Sequence, residues 1–340
     1  MQSKLNHFRP KISVVVPTFQ RRDSVARLLR ALEPEVSARQ DTEVVVSIDG
    51  SEDGTREMLS AFAGPLPLAW LWQANHGRAA ACNAGVRAAR GDLVILLDDD
   101  MEPLPGFLAE HGRAHAGGDR LGVMGAAPIM EPDSSPANRY IADKFNRHLE
   151  RLALPGHAIG LRDFYSGNFS IARLAFLEAG GFDEDFTVYG NEDLELAVRL
   201  ARAGVKLKYA AGAAALQHYS KTLSGLTRDY LQKGETSVLL ARKHPETLAQ
   251  LRLGGGEKES ARWNLAMRLL LAATRVWKGT SKAVIWAAEL LTLRAPACLA
   301  PLMRFTLDYF YWLGVDEALR RGKSDGRKQL ALESTPRITL

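Results

Sequence analysis

Three adjacent carboxylates, Asp98, Asp99 and Asp100, terminate the apolar run Leu93-Val94-Ile95-Leu96-Leu97. Like charges at the lip of a core repel one another and resist leaving water, so the triplet invites a cation. Oxygen donors of this kind suit Mg²⁺ or Mn²⁺, and a nitrogen ligand would favour Mn²⁺. A second carboxylate centre, Glu192 and Asp193, follows Asn191. Leu194, Leu196, Val198 and Leu200 behind it recur at helical spacing. Asn191 can therefore cap a helix whose first turn carries both acids, where they complement its dipole.

The elements that must position these groups alternate. Ile12 to Val16 reads as a strand stopped by Pro17-Thr18, with Arg21 in the loop and a helix to about Leu32. A strand from Glu43 to Ile48 ends in Asp49-Gly50-Ser51-Glu52-Asp53-Gly54-Thr55, before a short helix. A strand from Leu66 to Trp72 leads through Asn75-His76-Gly77-Arg78 into an alanine-rich helix, Ala79 to Ala89. Gly91 opens the acidic strand. Strand-helix alternation with short loops predicts βαβ units and a mostly parallel sheet covered on both faces. Polar loops after four strands then share one sheet edge, where α/β folds bind nucleotides. No Gly-x-Gly-x-x-Gly follows the first strand, so a diphosphate needs other charge partners. Gly77-Arg78 at a helix start is one, and a metal on the aspartates is another.

Further on, Leu121 to Ala127 and Phe164 to Ser170 read as strands, Asp133 to Leu154 as a mobile loop, and Lys206 to Ala210 as a last strand. Thr222 to Lys243 reads as a helix, and Gly254-Gly255-Gly256 as a linker. Beyond it, three apolar-rich helical stretches carry Trp263, Trp277, Trp286 and Trp312 among Arg and Lys. Residues 258–328 hold 13 Lys/Arg and 6 Asp/Glu, a surplus of +7 against a whole-chain +5, so the remainder carries −2. Trp beside basic residues suits a membrane interface, and a soluble helical subdomain is the alternative. The two cysteines, Cys82 and Cys298, lie far apart and suit a reducing compartment. No signal-like run opens the chain and no apolar stretch approaches the ~20 residues of a spanning helix. The expectation is a cytoplasmic protein, with peripheral contact on the inner face of the membrane through residues 257–328. No nucleic-acid motif is present, and the body's charge is wrong for that partner.

Val14-Val15-Val16-Pro17-Thr18-Phe19, Asp49-Gly50-Ser51-Glu52-Asp53-Gly54-Thr55, Asn83-Ala84-Gly85 and Leu97-Asp98-Asp99-Asp100 together resemble a family 2 glycosyltransferase with the GT-A fold. The resemblance continues through Gly167-Asn168-Phe169-Ser170, Gly180-Gly181-Phe182-Asp183-Glu184-Asp185-Phe186 and Gly190-Asn191-Glu192-Asp193-Leu194-Glu195-Leu196. It spans about Ile12 to His218. It implies a Rossmann-like three-layer sandwich and an inverting, metal-dependent transfer of sugar from a nucleotide-diphosphate donor, UDP-sugar favoured. The acceptor would be a saccharide or lipid-linked hydroxyl in polysaccharide, glycolipid or other cell-envelope glycoconjugate synthesis.

By the same resemblance, Pro17, Thr18 and Phe19 flank the base, with Arg21 in the same loop. Asp49 accepts a base N–H, and Arg78 serves the diphosphate. Asp98 contacts the ribose or the metal's water shell, and Asp99 joins the donor site. Asp100 ligates Mn²⁺ or Mg²⁺ with Asp98 and His218. Asp193 is the general base, and Glu192 orients the acceptor or the base. Two departures stand out: Ile48 replaces an acid before Asp49, and Cys82 an arginine before Asn83. The implied organisation is a catalytic domain over 1–220, helix and linker over 221–256, basic helices over 257–328 and a tail over 329–340. An inactive nucleotide-sugar-binding scaffold and a nucleotidyltransferase are the competing functions. The second lacks its glycine-rich basic loop.

Overall fold

A computed structural model describes residues 10–118, 120–130, 135–254, 260–294 and 299–324. The tail over 329–340 lies outside these, as do Asp133 and the expected linker after Gly254. Two compact units divide the described residues. One takes those within Met1–Met130, Ala142–Thr187 and Glu192–Tyr219, the other those within Glu131–Ile141, Val188–Asn191 and Ser220–Leu340.

The first unit opens as β1 (Ile12–Thr18), α1 (Arg22–Ser37), β2 (Thr42–Asp49), α2 (Thr55–Ser60), β3 (Leu68–Gln73), α3 (Arg78–Ala88) and β4 (Leu93–Leu97). It continues with β5 (Met101–Pro103), α4 (Phe107–Ala114), β6 (Leu121–Gly125), α5 (Pro136–Leu152), β7 (Asn168–Ala172) and α6 (Arg173–Glu178). It closes with α7 (Glu192–Arg202), β8 (Lys206–Ala210) and β9 (Ala215–Gln217). The main sheet runs β3-β2-β1-β4-β7-β6-β8, and β5 and β9 form a separate two-stranded ribbon. β1 pairs parallel with β2 and β4, and β2 with β3. β7 alone runs against both its neighbours, β4 and β6.

Alternation along the strands divides the core. Val14, Val16, Val44, Val46, Ile95 and Leu97 pack on one face with Val25, Leu28, Leu29 and Leu32 of α1. Val15, Val45, Val94 and Leu96 face the other way, onto Ala79, Cys82 and Val86 of α3 and Leu196 and Leu200 of α7. A central strand buried on both faces reads as an unbroken apolar run, which is why β1 and β4 stand out in the sequence.

Three expectations change. α1 runs through Pro34 to Ser37 rather than stopping near Leu32. The loop expected over Asp133 to Leu154 is largely helix, since α5 spans Pro136–Leu152. Lys206 to Ala210 is not the last strand, because β9 follows it.

The second unit contains α8 (Leu223–Lys243), α9 (Ala261–Val276), α10 (Thr280–Arg294) and α11 (Leu299–Ser324). Thr222 caps α8, accepting a hydrogen bond from Gly225 N. Its core has two parts. Leu223, Leu226, Ala288, Met303 and Leu307 form one, and Met267, Leu271, Tyr309, Phe310 and Leu313 form the other.

Candidate active site

Parallel pairing brings the ends of β1, β2, β3 and β4 to one edge. Thr18 lies opposite Ile48, and Asp49 opposite Gln73. Because β7 is antiparallel, it presents its amino end at that same edge, with Asn168 opposite Leu97. Gly167 O accepts from Asp98 N at 2.9 Å, which seats Ser166 and Gly167 beside the acidic turn. Hydrogen bonds fasten the first two loops together: Gln20 N donates to Ser51 Oγ at 2.8 Å and Arg22 N to Asp53 Oδ2 at 2.8 Å.

Arg78, the first residue of α3, is the hub. Its Nη2 lies 2.7 Å and its Nε 3.1 Å from Asp98 Oδ1. Its Nη1 lies 3.4 Å from Asp193 Oδ1, 3.0 Å from Ser166 Oγ and 3.9 Å from Glu192 Oε1. Ser166 Oγ also donates to Asp193 Oδ1. One guanidinium therefore joins carboxylates from β4 and α7. Both contacts on Asp193 fall on Oδ1, and Oδ2 has no partner among the described residues. The surrounding anions hold Arg78 well above its ordinary pKa despite burial, so it stays charged. Gly77 makes the turn into α3 at φ +91°, and a Cβ there would lie 2.9 Å from Thr187 O. A side chain would push Arg78 off its position.

Asp99 was expected beside the donor with no certain partner. It is buried and accepts from Thr18 Oγ1 at 2.7 Å, with Arg21 Nε 3.8 Å away. Burial pushes its carboxyl up to about 7, against the pull of Arg21 and the Thr18 hydroxyl. Asp100 is also buried, and its carboxylate contacts are long: 3.5 Å to Arg21 Nη1 and 3.4 Å to Gln217 Nε2. His218 is a correction. Its peptide N donates to Asp100 O at 2.9 Å, but its imidazole Nε2 lies 2.6 Å from Glu102 Oε2. The β5–β9 register explains this, because Glu102 faces Leu216 and so lies diagonal to His218 across the ladder.

No group of three His, Cys, Asp or Glu gathers in a ligand arrangement among the described residues. A Mg²⁺-type site asks for less, since one or two carboxylates and the substrate's own phosphates complete it. Asp100, with weakly held oxygens, and Asp98 beside it meet that requirement.

Asp49 accepts from Gln73 Nε2 at 2.8 Å, His76 N at 3.0 Å and Gly77 N at 2.8 Å. It therefore holds the loop that delivers Arg78, and its Oδ2 carries only the Gly77 bond. A cavity of about 360 Å³ opens along that loop, lined by Asn75, His76, Glu184 and Thr187. Pro17 is buried within β1, while Phe19 is 47% exposed at its end. Cys82 lies one turn from Arg78 on the same face of α3, and burial lifts its thiol to about 12. Ser166 and Gln217 were missed from the sequence. The signal for Ser166 was its place directly before Gly167-Asn168; Gln217 had none, because a single polar residue in a short strand is unremarkable.

Residues 13–179 match the model described as Glycosyl transferase family 2, and residues 149–222 match the N-terminal domain of galactosyltransferase. The chain belongs to glycosyltransferase family 2. The validoxylamine A glucosyltransferase of Streptomyces hygroscopicus subsp. jinggangensis (strain 5008) is 29% identical over 276 residues. That match takes in 71% of this family 2 chain and 63% of the relative, so the chain spans less than two thirds of the relative's length. Among solved structures, the mannosyltransferase PcManGT from Pyrobaculum calidifontis, in complex with GDP-Man and Mn²⁺, aligns with a TM-score of 0.59 and 20% identity. That alignment covers 92% of this chain and 88% of the other. S. aureus TarS 1–349 in complex with UDP aligns with a TM-score of 0.51 and 14% identity, covering 92% of each chain. At these identities the likeness is one of fold, the GT-A sandwich.

Proposed function

We propose that this family 2 chain transfers a sugar from a nucleotide-diphosphate donor to an acceptor hydroxyl with inversion at the anomeric carbon. The observation that carries this reading is the Arg78 guanidinium shared between Asp98 and Asp193. It sets a donor-side carboxylate and a candidate base on opposite arms of one cation.

An acceptor hydroxyl becomes an effective nucleophile when a carboxylate takes its proton in the transition state. Asp193 serves as that base. Ser166 and Arg78 fix its Oδ1, which leaves Oδ2 to receive the proton. The acceptor oxygen bonds to the anomeric carbon as the bond to the diphosphate breaks, and Glu192 orients the attacking group. Arg21 and the amino end of α3 face the departing diphosphate with positive charge. A divalent cation held by Asp100 and Asp98, Mn²⁺ or Mg²⁺, supplies further charge against the leaving group. Thr18, Phe19 and Pro17 border the base, and Asp49 Oδ2 retains a lone pair for a base N–H. A UDP-sugar donor suits that acceptor, although PcManGT was solved with GDP-Man. The acceptor class is a saccharide or lipid-linked hydroxyl.

A thermal-shift panel of UDP-, GDP- and dTDP-sugars, with and without Mn²⁺, tests the donor side, since a ligand that binds only the native state raises its melting temperature. UDP-sugar with Mn²⁺ is expected to give the largest rise. Asp193→Asn is expected to keep that rise and lose about 10²-fold or more in turnover, the range for a lost general base. Turnover by Asp193→Asn within threefold of the native chain removes the base assignment. A thermal shift without turnover in the native chain points instead to a binding scaffold.

A further inference from the structure

Six of the exposed large apolar side chains crowd into one short region of the second unit. Leu265 is 58% exposed, Leu269 62%, Val276 90%, Trp277 63%, Trp286 65% and Leu291 47%. On α9, Leu265, Leu269, exposed Ala272 and Val276 recur at i, i+4, i+7 and i+11, a single outer stripe. The inner stripe, Met267 and Leu271, is already buried against Tyr309, Phe310 and Leu313 of α11. α9 is thus apolar on two faces, and only one has a partner within its unit.

The charges divide in the same way. Arg275 pairs with Asp316 at 2.7 Å and Arg252 with Asp308, so those arginines answer acids of α11. Arg262, Arg268, Lys278 and Lys282 are exposed, and none has an ion pair among the described residues. Across residues 260–294 there are six Lys/Arg and one acid, Glu289, a surplus of +5. Arg262 and Arg268 lie about 60° to either side of the α9 stripe at ~100° per residue. The tryptophans sort too. Trp263 stacks edge-on with Phe305 at 4.9 Å and Trp312 joins the inner cluster, while Trp277 and Trp286 point outward.

We propose that the outer face of α9 and α10 docks on an anionic lipid surface. A solvent-facing apolar stripe flanked by unpaired cations, with tryptophans at its end, matches a helix lying in the headgroup plane. The unpaired lysines and arginines supply the complementarity to anionic headgroups. No described helix is long and apolar enough to cross a membrane, so contact is peripheral.

Flotation of the full chain with vesicles of phosphatidylcholine and about 30% phosphatidylglycerol, against pure phosphatidylcholine, tests this; tighter binding to the anionic vesicles by about tenfold or more is expected at low salt, and its loss at about 0.5 M salt. Arg268→Glu with Lys278→Glu and Lys282→Glu is expected to abolish the preference for anionic lipid. Leu265→Gln, Leu269→Gln and Val276→Gln together are expected to weaken binding by about tenfold at an unchanged melting temperature. Absence of binding to anionic vesicles at low salt overturns the proposal, as does equal binding to both vesicle types. Light scattering in which the apolar substitutions turn a dimer into a monomer, with vesicles unbound, gives the face to a second copy and also overturns it. The measurement uses neither donor nor acceptor, so it stands or falls separately from the transferase reading.

Discussion

Arg78 is the residue on which the site turns. Its guanidinium touches Asp98, Glu192 and Asp193, and the planar fork reaches groups that a single ammonium cannot. Arg78→Lys is therefore expected to retain charge but lose about tenfold or more in nucleotide-diphosphate release, with Arg78→Ala losing about 10²-fold. Equal rates for native and Arg78→Lys chains would show that the fork is dispensable. A second residue-scale prediction concerns His111, fully buried in α4. Its Nδ1 is 2.8 Å from Ser170 Oγ and its Nε2 2.9 Å from Asn168 Oδ1, with His115 also on Ser170. Burial lowers its pKa from 6.5 to about 4. Between these values the unfolded chain binds the proton and the folded chain does not, so stability falls as pH drops from about 6.5 to 4. That contribution reaches about 3 kcal/mol at most. Denaturant midpoints measured across this window should slope less in His111→Gln, and an identical slope removes His111 as the source.

At the scale of elements, one antiparallel strand makes the site. β7 turns its amino end toward the acidic turn, and with it Ser166 and Asn168. Had it run parallel to β4, Ser166 would sit at the opposite edge. In the second unit, α8 and α11 cross at reciprocal glycines. A Cβ on Gly234 would strike Tyr311 O, and one on Gly314 would strike Leu231 O. Those carbonyls are backbone and cannot rotate away. Gly234→Ala and Gly314→Ala are each expected to cost about 2 kcal/mol, read from denaturant midpoints. The two share one crossing, so their combined cost should fall short of the sum. A midpoint unmoved by either change refutes the close-approach argument.

Across the whole molecule, the two units have different chemistries. One has acids gathered at a sheet edge; the other carries the basic surplus and an exposed apolar stripe. The charge division was legible in the sequence, because net charge needs only counting. Whether a given Trp or Arg faced inward was not. Helices apolar on two sides give no clean periodicity, and which side finds a partner depends on α11.

The residues alone determined the alternating strands and helices, the two carboxylate centres and the sheet edge they serve. Those features are written in local periodicity and in loop residues that immediately follow strands. Tertiary structure decided which groups meet. It gave Arg78 to Asp98 and Asp193, His218 to Glu102, and Gln217 rather than His218 to the Asp100 carboxylate. Such pairings join positions some 100 residues apart through strand direction and ladder register. A one-residue change of register sends a side chain to the other face, and short segments do not encode register by themselves.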